Sequence, residues 1–208
     1  MSRLSLTFAC GVYDRTEALR TGDVGVEGID LNFLAIEAPR EIFDRMGGHQ
    51  EFDVAEFSSS EFISRLARGG CPFVAIPVFP SRVFRHGYIY VNRKSAIRTP
   101  QDLAGKTVGE FATYGHDAGV WPKGILSDDY GVTPGQCRWI VGGNDWPMAP
   151  LDFIPFLHPA DVDVTPAPEG KPLGTMLEAG EIDALISLTC RMVFTMVRIA
   201  SAVPRLDS

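Results

Sequence analysis

Apolar and polar positions along the chain fall into short blocks whose period changes in a regular order. "LSLTFAC" (4–10) alternates larger and smaller residues, the period-two pattern of a strand, and "GIDLNFLAI" (28–36) reads as a second strand. Pro39 suits the first position of a short helix, "PREIFDRM" (39–46), which the Gly47-Gly48 pair ends. "FDVAEF" (52–57) reads as a third strand. Ser58 and Glu61 have capping-box spacing for the helix "SSEFISRLAR", stopped by Gly69-Gly70. "FVAIPVF" (73–79) reads as a fourth strand, with Pro77 placing it at an edge or a bend.

After residue 92 the punctuation restarts. In "RTPQDLAGKTVGEF" (98–111) Thr99 suits an N-cap, Pro100 the first helical position and Gly105 the end. "TVGEF" is then a strand, followed by a helix that runs to about residue 130 and stops at Gly131. Gly119, Pro122 and Gly124 predict a kink or a late start in that helix. "CRWIVGG" is a strand, 142–170 reads as a long Pro- and Asp-rich connection, and "PLGTMLEAGEIDALIS" is a helix, a Gly stop and a strand. This order predicts two α/β lobes with mainly parallel sheets. The first lobe spans 1–88, a crossing strand 89–92, the second lobe 93–187, and an atypical tail 188–208.

Parallel sheets present ligands with the carboxyl ends of strands and the free N–H groups of helix starts. The polar residues that follow each strand are therefore the candidates. They are Tyr13, Asp14, Arg15 and Thr16; Glu56 with Ser58, Ser59 and Ser60; Ser81, Arg82, Arg85 and His86; Tyr114, His116 and Asp117; and Ser187 with Arg191. Most have two readings. The serines either cap a helix or touch a ligand. "FPSRVFRHGYIYVN" (79–92) sets two guanidiniums and an imidazole between apolar segments. That is either a solvated corner with ion pairs worth little, or a site for an anion. His116-Asp117 reads as a helix start, and Arg191 as a packing or solubility residue.

Composition narrows the classes. The chain has 208 residues, 45% hydrophobic and 22% charged, enough for one large domain or two small lobes. A net charge of −7 argues against nucleic acid or an anionic membrane as the main partner. The N-terminus reads as a strand and not as a secretion signal, and no segment reads as a membrane span, so a cytoplasmic protein is expected. The cysteines form no CxxC pair and the histidines are scattered, so reduced thiols and no metal are expected. GxSxG, SxxK, HExxH, GxxxxGK[ST] and GxGxxG patterns are missing, and no organic cofactor is expected.

"FACGVYDRTEAL", "EGIDLNFL", "EIFDRM", "HQEFDVAEFSSSEFI", "CPFVAIPVFPSRVFRHGYIYVN" and "DLAGKTVGE" together resemble the 4,5-dihydroxyphthalate decarboxylase family. That family is similar in fold to type 2 periplasmic binding proteins. The resemblance covers roughly residues 4 to 187, and "PVFPSRVFRH" and "YDRT" are its more specific parts. It implies a two-lobed α/β fold with an interlobe cleft. The implied reaction converts 4,5-dihydroxyphthalate to 3,4-dihydroxybenzoate and carbon dioxide without an oxidant. Chains of the family continue further and return to the first lobe with a strand and helices. Here "LISLTCRMVFTMVRIASAVPRLDS" loses the resemblance, so a C-terminally shortened chain with an incomplete first lobe is expected.

Such a reaction needs carboxylates gripped and a ring carbon protonated. The planar fork of arginine suits the grip, which falls to Arg15, Arg82 and Arg85. His86 is the first choice for the proton donor and Glu56 the second. Tyr13, Ser58 and Ser59 are placed to orient the ring hydroxyls, and Tyr114 joins the substrate contacts. The expected partner is a small anionic aromatic substrate. The rival readings are a solute-binding protein with the same cleft and no chemistry, and an inactive fragment.

Overall fold

A computed structural model describes residues 2–149, residues 158–187 and the backbone of Met196–Arg198. The expected tail, 188–208, lies outside the described residues apart from that short strand. The chain divides into two units, Met1–Val83 and Phe84–Ser208, and both are α/β with mainly parallel sheets. Among the described residues, no helix is long and apolar enough to cross a membrane.

The first unit is built on β1 (Leu4–Cys10), which pairs in parallel with β2 (Ile29–Ala35) on one side and β3 (Val54–Ala55) on the other. The short helix α1 (Glu17–Thr21) precedes β2. Helices α2 (Pro39–His49) and α3 (Ser59–Ala67) flank β3 in sequence. Ala9, Ile42, Phe43 and Phe52 form its core.

Three sequence expectations change here. The glycine pair does not end α2: the helix runs through Gly47 and Gly48 and closes on Gln50 in the left-handed region, at φ 54°. Gly47 is needed for closeness, because a Cβ there would meet the Glu61 carboxylate at 2.8 Å. The third strand shrinks to two residues, since the Asp53 side chain takes the Thr7 N–H (2.8 Å) that a ladder partner would take. Residues 73–79 form no strand, and Val74, Ile76, Val78 and Phe79 are exposed. Pro72, Pro77 and Pro80 remove donors from any ladder this segment could join.

In the second unit, β4 (Ile89–Asn92), β5 (Thr107–Phe111), β6 (Arg138–Gly142), β7 (Asp163–Pro166), β8 (Ala184–Ile186) and β9 (Met196–Arg198) form one sheet in the order β7-β6-β5-β8-β4-β9. The segment expected to cross between lobes is thus the strand β4, antiparallel to β8 and β9 within this sheet. β7 lies inside the stretch read as a connection. Its sequence "DVTP" is too short for a period to show.

Among the described residues the unit has two α-helices, α4 (Asp117–Tyr130) and α5 (Leu173–Ala179), and Gly131 and Gly180 close them in the left-handed region as expected. After a loop over 112–116, α4 begins at Asp117, ahead of Gly119, Pro122 and Gly124, and runs through all three, so the late start expected at those residues does not occur. The core gathers Val108, Leu126, Trp139, Val141 and Ile186.

Under α4 lies a buried ion pair. Lys123 Nζ reaches both Glu110 oxygens at 2.6 Å and sits 3.8 Å from the centre of the Tyr114 ring. Burial pushes the Glu110 carboxyl up and the Lys123 ammonium down, each opposed by the other's charge. Gly119 makes the fit possible, because a Cβ at that position would stand 1.8 Å from Glu110 Oε1. Gly124, on the same helix, has nothing within 4 Å of its would-be Cβ. Gly119→Ala is therefore expected to destabilise the chain by about 1–3 kcal/mol through overpacking. Gly124→Ala should stabilise it by about 0.4–1 kcal/mol. Urea unfolding of the two variants checks both signs.

Candidate functional site

At the carboxyl end of the first unit's sheet a buried carboxylate gathers three donors. Glu56 follows β3, and its N–H continues the pairing to Ala9 O at 2.9 Å. Its Oε1 accepts the Tyr13 hydroxyl at 2.7 Å. Its Oε2 accepts the Gly11 N–H at 3.1 Å and the Cys10 thiol at 3.8 Å. With 7% of its surface exposed, Glu56 needs these donors, since an unpaired buried charge is costly.

Each donor is shaped by the same arrangement. Burial, with the Glu56 charge second, pushes the Cys10 thiol up to about 12. Burial first and the Glu56 hydrogen bond second push the Tyr13 phenol up as well. Gly11 leaves room for the phenol, because a Cβ there would lie 2.9 Å from the Tyr13 ring. Tyr13 also lines an open recess of about 480 Å³ with Gly11, Val12, Glu37 and Pro39. The recess thus sits where β1 and β2 end and α2 begins.

Arg15 stands beside this cluster, its guanidinium carbon 5.2 Å from the centre of the Tyr13 ring. Its Nε donates to Pro80 O at 2.6 Å and its Nη1 to Asp14 at 2.9 Å. Ser58 is the N-cap of α3 and takes the Glu61 N–H at 3.3 Å. The Glu61 carboxylate, however, pairs with Arg65 and Arg40. Ser59 is exposed. Arg82 is exposed too, its Nε 3.4 Å from Phe79 O.

In the second unit the structure separates residues that the sequence had grouped. Arg85 and His86 share a single 3-10 turn, Arg85–Tyr88, packed along α4. His86 Nε2 lies 3.5 Å from Asp129, in the last turn of α4. The Arg85 charge acts instead on Asp117, in its first turn. Twelve residues of helix, roughly 18 Å, separate those two partners. Tyr114 is a core residue, edge-on to Trp139 and beneath Lys123, and burial pushes its phenol up to about 12.

His116 is the functional candidate that sequence reasoning passed over as a helix start. It is buried as the N-cap of α4, with its Nδ1 2.9 Å from Asp117 Oδ1. The Ala118 N–H lies 3.2 Å from His116 Nδ1 and 2.9 Å from Asp117 Oδ1. The Ala118 N–H is thus shared between the His116 imidazole and the Asp117 carboxylate. Asn144 and Ser187, beyond the ends of β6 and β8, are hydrogen-bonded to each other. An adjacent His-Asp pair after a strand was the only signal available in the sequence.

No family model matches the chain. The chain is 39% identical over 186 residues to a 4,5-dihydroxyphthalate decarboxylase from Comamonas testosteroni, an alignment covering 89% of this chain and 56% of that relative. It is 38% identical over 195 residues to a 4,5-dihydroxyphthalate decarboxylase from Pseudomonas putida, covering 94% of this chain and 74% of the relative. The chain belongs to the 4,5-dihydroxyphthalate decarboxylase family. It spans little more than half the length of the Comamonas member. The periplasmic aliphatic sulphonate binding protein SsuA from Escherichia coli superposes with a TM-score of 0.50 at 15% identity, covering 89% of this chain and 51% of that one. That likeness gives this family member the periplasmic-binding-protein fold.

The His116-Asp117 pair has a measurable consequence. Burial raises the Asp117 carboxyl, but the His116 hydrogen bond and the His116 and Arg85 charges outweigh it and leave the carboxyl below its usual value. A depressed carboxyl contributes stability that is fully present above the unfolded value, about 3.9, and lost as pH falls through the lower folded value. Wild-type stability should thus fall more steeply in that window than that of Asp117→Asn. Urea unfolding from neutral pH to about pH 3 would show it, and parallel profiles would remove the ionic account of the pair.

Proposed function

We propose that this chain decarboxylates 4,5-dihydroxyphthalate, giving 3,4-dihydroxybenzoate and carbon dioxide. The observation that carries the reading is its 38% identity to a named decarboxylase across 74% of that relative's length. The first unit's cluster supports it, since Tyr13, which lines the recess, is bonded to the buried Glu56 carboxylate and has the Arg15 guanidinium beside its ring.

The chemistry asks for three things. A cation must hold a carboxylate, and Arg15 beside Tyr13 is suited to that. A proton must reach the ring carbon that loses its carboxylate. Two imidazoles are candidates for this acid, His86 beside Asp129 and His116 beside Asp117. The ring must also be electron-rich at that carbon, which the hydroxyl para to it provides. The likeness to a sulphonate-binding protein favours one rival, a binding protein that holds the same anion without turning it over.

Purified chain incubated with 4,5-dihydroxyphthalate is expected to release carbon dioxide and accumulate 3,4-dihydroxybenzoate. Arg15→Ala should weaken binding by about 1.5–3 kcal/mol, the worth of a charge-assisted hydrogen bond, and Arg15→Lys should recover only part. His86→Gln and His116→Gln assign the acid, because the variant that keeps binding and loses turnover marks it. Binding with no carbon dioxide from the wild type would select the binding protein.

A further inference from the structure

We infer that Tyr13 and Glu56 form a proton relay that ionises a ring hydroxyl of a bound ortho-dihydroxy aromatic acid. The inference deepens the decarboxylase reading and rests on it for the identity of the ligand. Its basis is geometric. Tyr13 lines the recess, and its hydroxyl is bonded at 2.7 Å to Glu56 Oε1, with the Ser81 side chain as a second partner. The phenol is therefore a link between the recess and a buried base.

The two Glu56 oxygens are used differently. Oε2 is anchored by the Gly11 N–H at 3.1 Å and the Cys10 thiol at 3.8 Å, at the end of β1. Oε1 has the Tyr13 hydroxyl as its one hydrogen bond among the described residues. A carboxylate fixed through one oxygen and bonded to a phenol through the other is arranged to take the phenol's proton. Gly11 keeps the phenol in that orientation, since any Cβ there would press on the ring at 2.9 Å. The phenol cannot be a standing base, because burial and the neighbouring carboxylate keep its own proton on. It can act only by receiving one proton as it gives another away.

The step balances. The ligand's hydroxyl passes its proton to Tyr13 Oη while the Tyr13 proton moves to Glu56 Oε1. The ligand is left as a catecholate, Tyr13 as a neutral phenol and Glu56 as a carboxylic acid. The negative charge has moved from Glu56 to the ligand oxygen. In the decarboxylase reading, that oxygen lies para to the departing carboxylate and pushes electron density to the carbon that is protonated. When that carbon has been protonated and carbon dioxide leaves, the C–C electron pair returns to the ring. The oxygen then regains its proton from Glu56 through Tyr13.

Absorbance gives the decisive readout, because an ionised catechol absorbs at longer wavelength than its neutral form. Wild-type chain titrated with 3,4-dihydroxybenzoate at neutral pH should develop the red-shifted catecholate band. Tyr13→Phe and Glu56→Gln should bind the ligand without it, and Tyr13→Phe should lose about 10²–10⁴-fold in turnover. If Glu56→Gln does not fold, the wild-type spectrum and Tyr13→Phe still decide. No wild-type band, no binding, or a band that persists in Tyr13→Phe would each overturn the relay. Carbon dioxide release without the band sinks the relay alone, and the band without carbon dioxide release sinks the decarboxylase reading alone.

Discussion

A carboxylate with almost no access to water must be given donors by the chain around it, and in the first unit that demand falls at Glu56. Three donors answer it, all from the end of β1 and the turn that follows. Meeting the demand fixes much else. The backbone of Gly11 must approach the carboxylate, residue 11 must lack a side chain for the Tyr13 ring to fit, and the phenol must turn its hydroxyl to Glu56. Packing and candidate chemistry are in this sense one arrangement. The group that satisfies the buried charge is also the group a ligand would meet.

The second unit places a buried carboxylate too, and uses it differently. Glu110 is held by Lys123 and by the Gly115 N–H, deep under α4 and beneath aromatic rings. Breaking such a pair by removing one partner typically costs about 3–5 kcal/mol, so its role is to seat the helix. At the start of the same helix, His116 Nδ1 lies 2.9 Å from Asp117 Oδ1. Seating the helix and positioning the imidazole are linked through the loop over 112–116, which also holds Ala112 at φ 65°.

Much of this was legible in the sequence because it depends on local rules. β1, β5, β6 and α5 come from period and punctuation, and the Thr99-Pro100 start and the Gly131 stop are read directly from cap chemistry. Tyr13, Glu56 and Arg15 were singled out as polar residues after parallel strands, and the structure brings them next to one another. What was not legible depends on partners distant in sequence. Nothing local says that Gly47 serves the approach of Glu61, or that Asp53 replaces a ladder bond. The apolar run at 73–79 has a strand's composition, but its prolines and its neighbours decide otherwise. Arg85 and His86 are adjacent in sequence, yet a 3-10 turn sends them toward opposite ends of α4. Tyr114 looked like a loop residue because the ring that receives it, Trp139, belongs to the next strand.

The central claim is that the Tyr13–Glu56 cluster faces a ligand and is not merely a closure between two strands. A crystal structure of the chain with 3,4-dihydroxybenzoate tests it most directly. The account predicts a ring hydroxyl within about 2.6–3.2 Å of Tyr13 Oη, with the Tyr13–Glu56 hydrogen bond still in place. A ligand seated elsewhere, with no atom in hydrogen-bonding reach of that phenol, would contradict it.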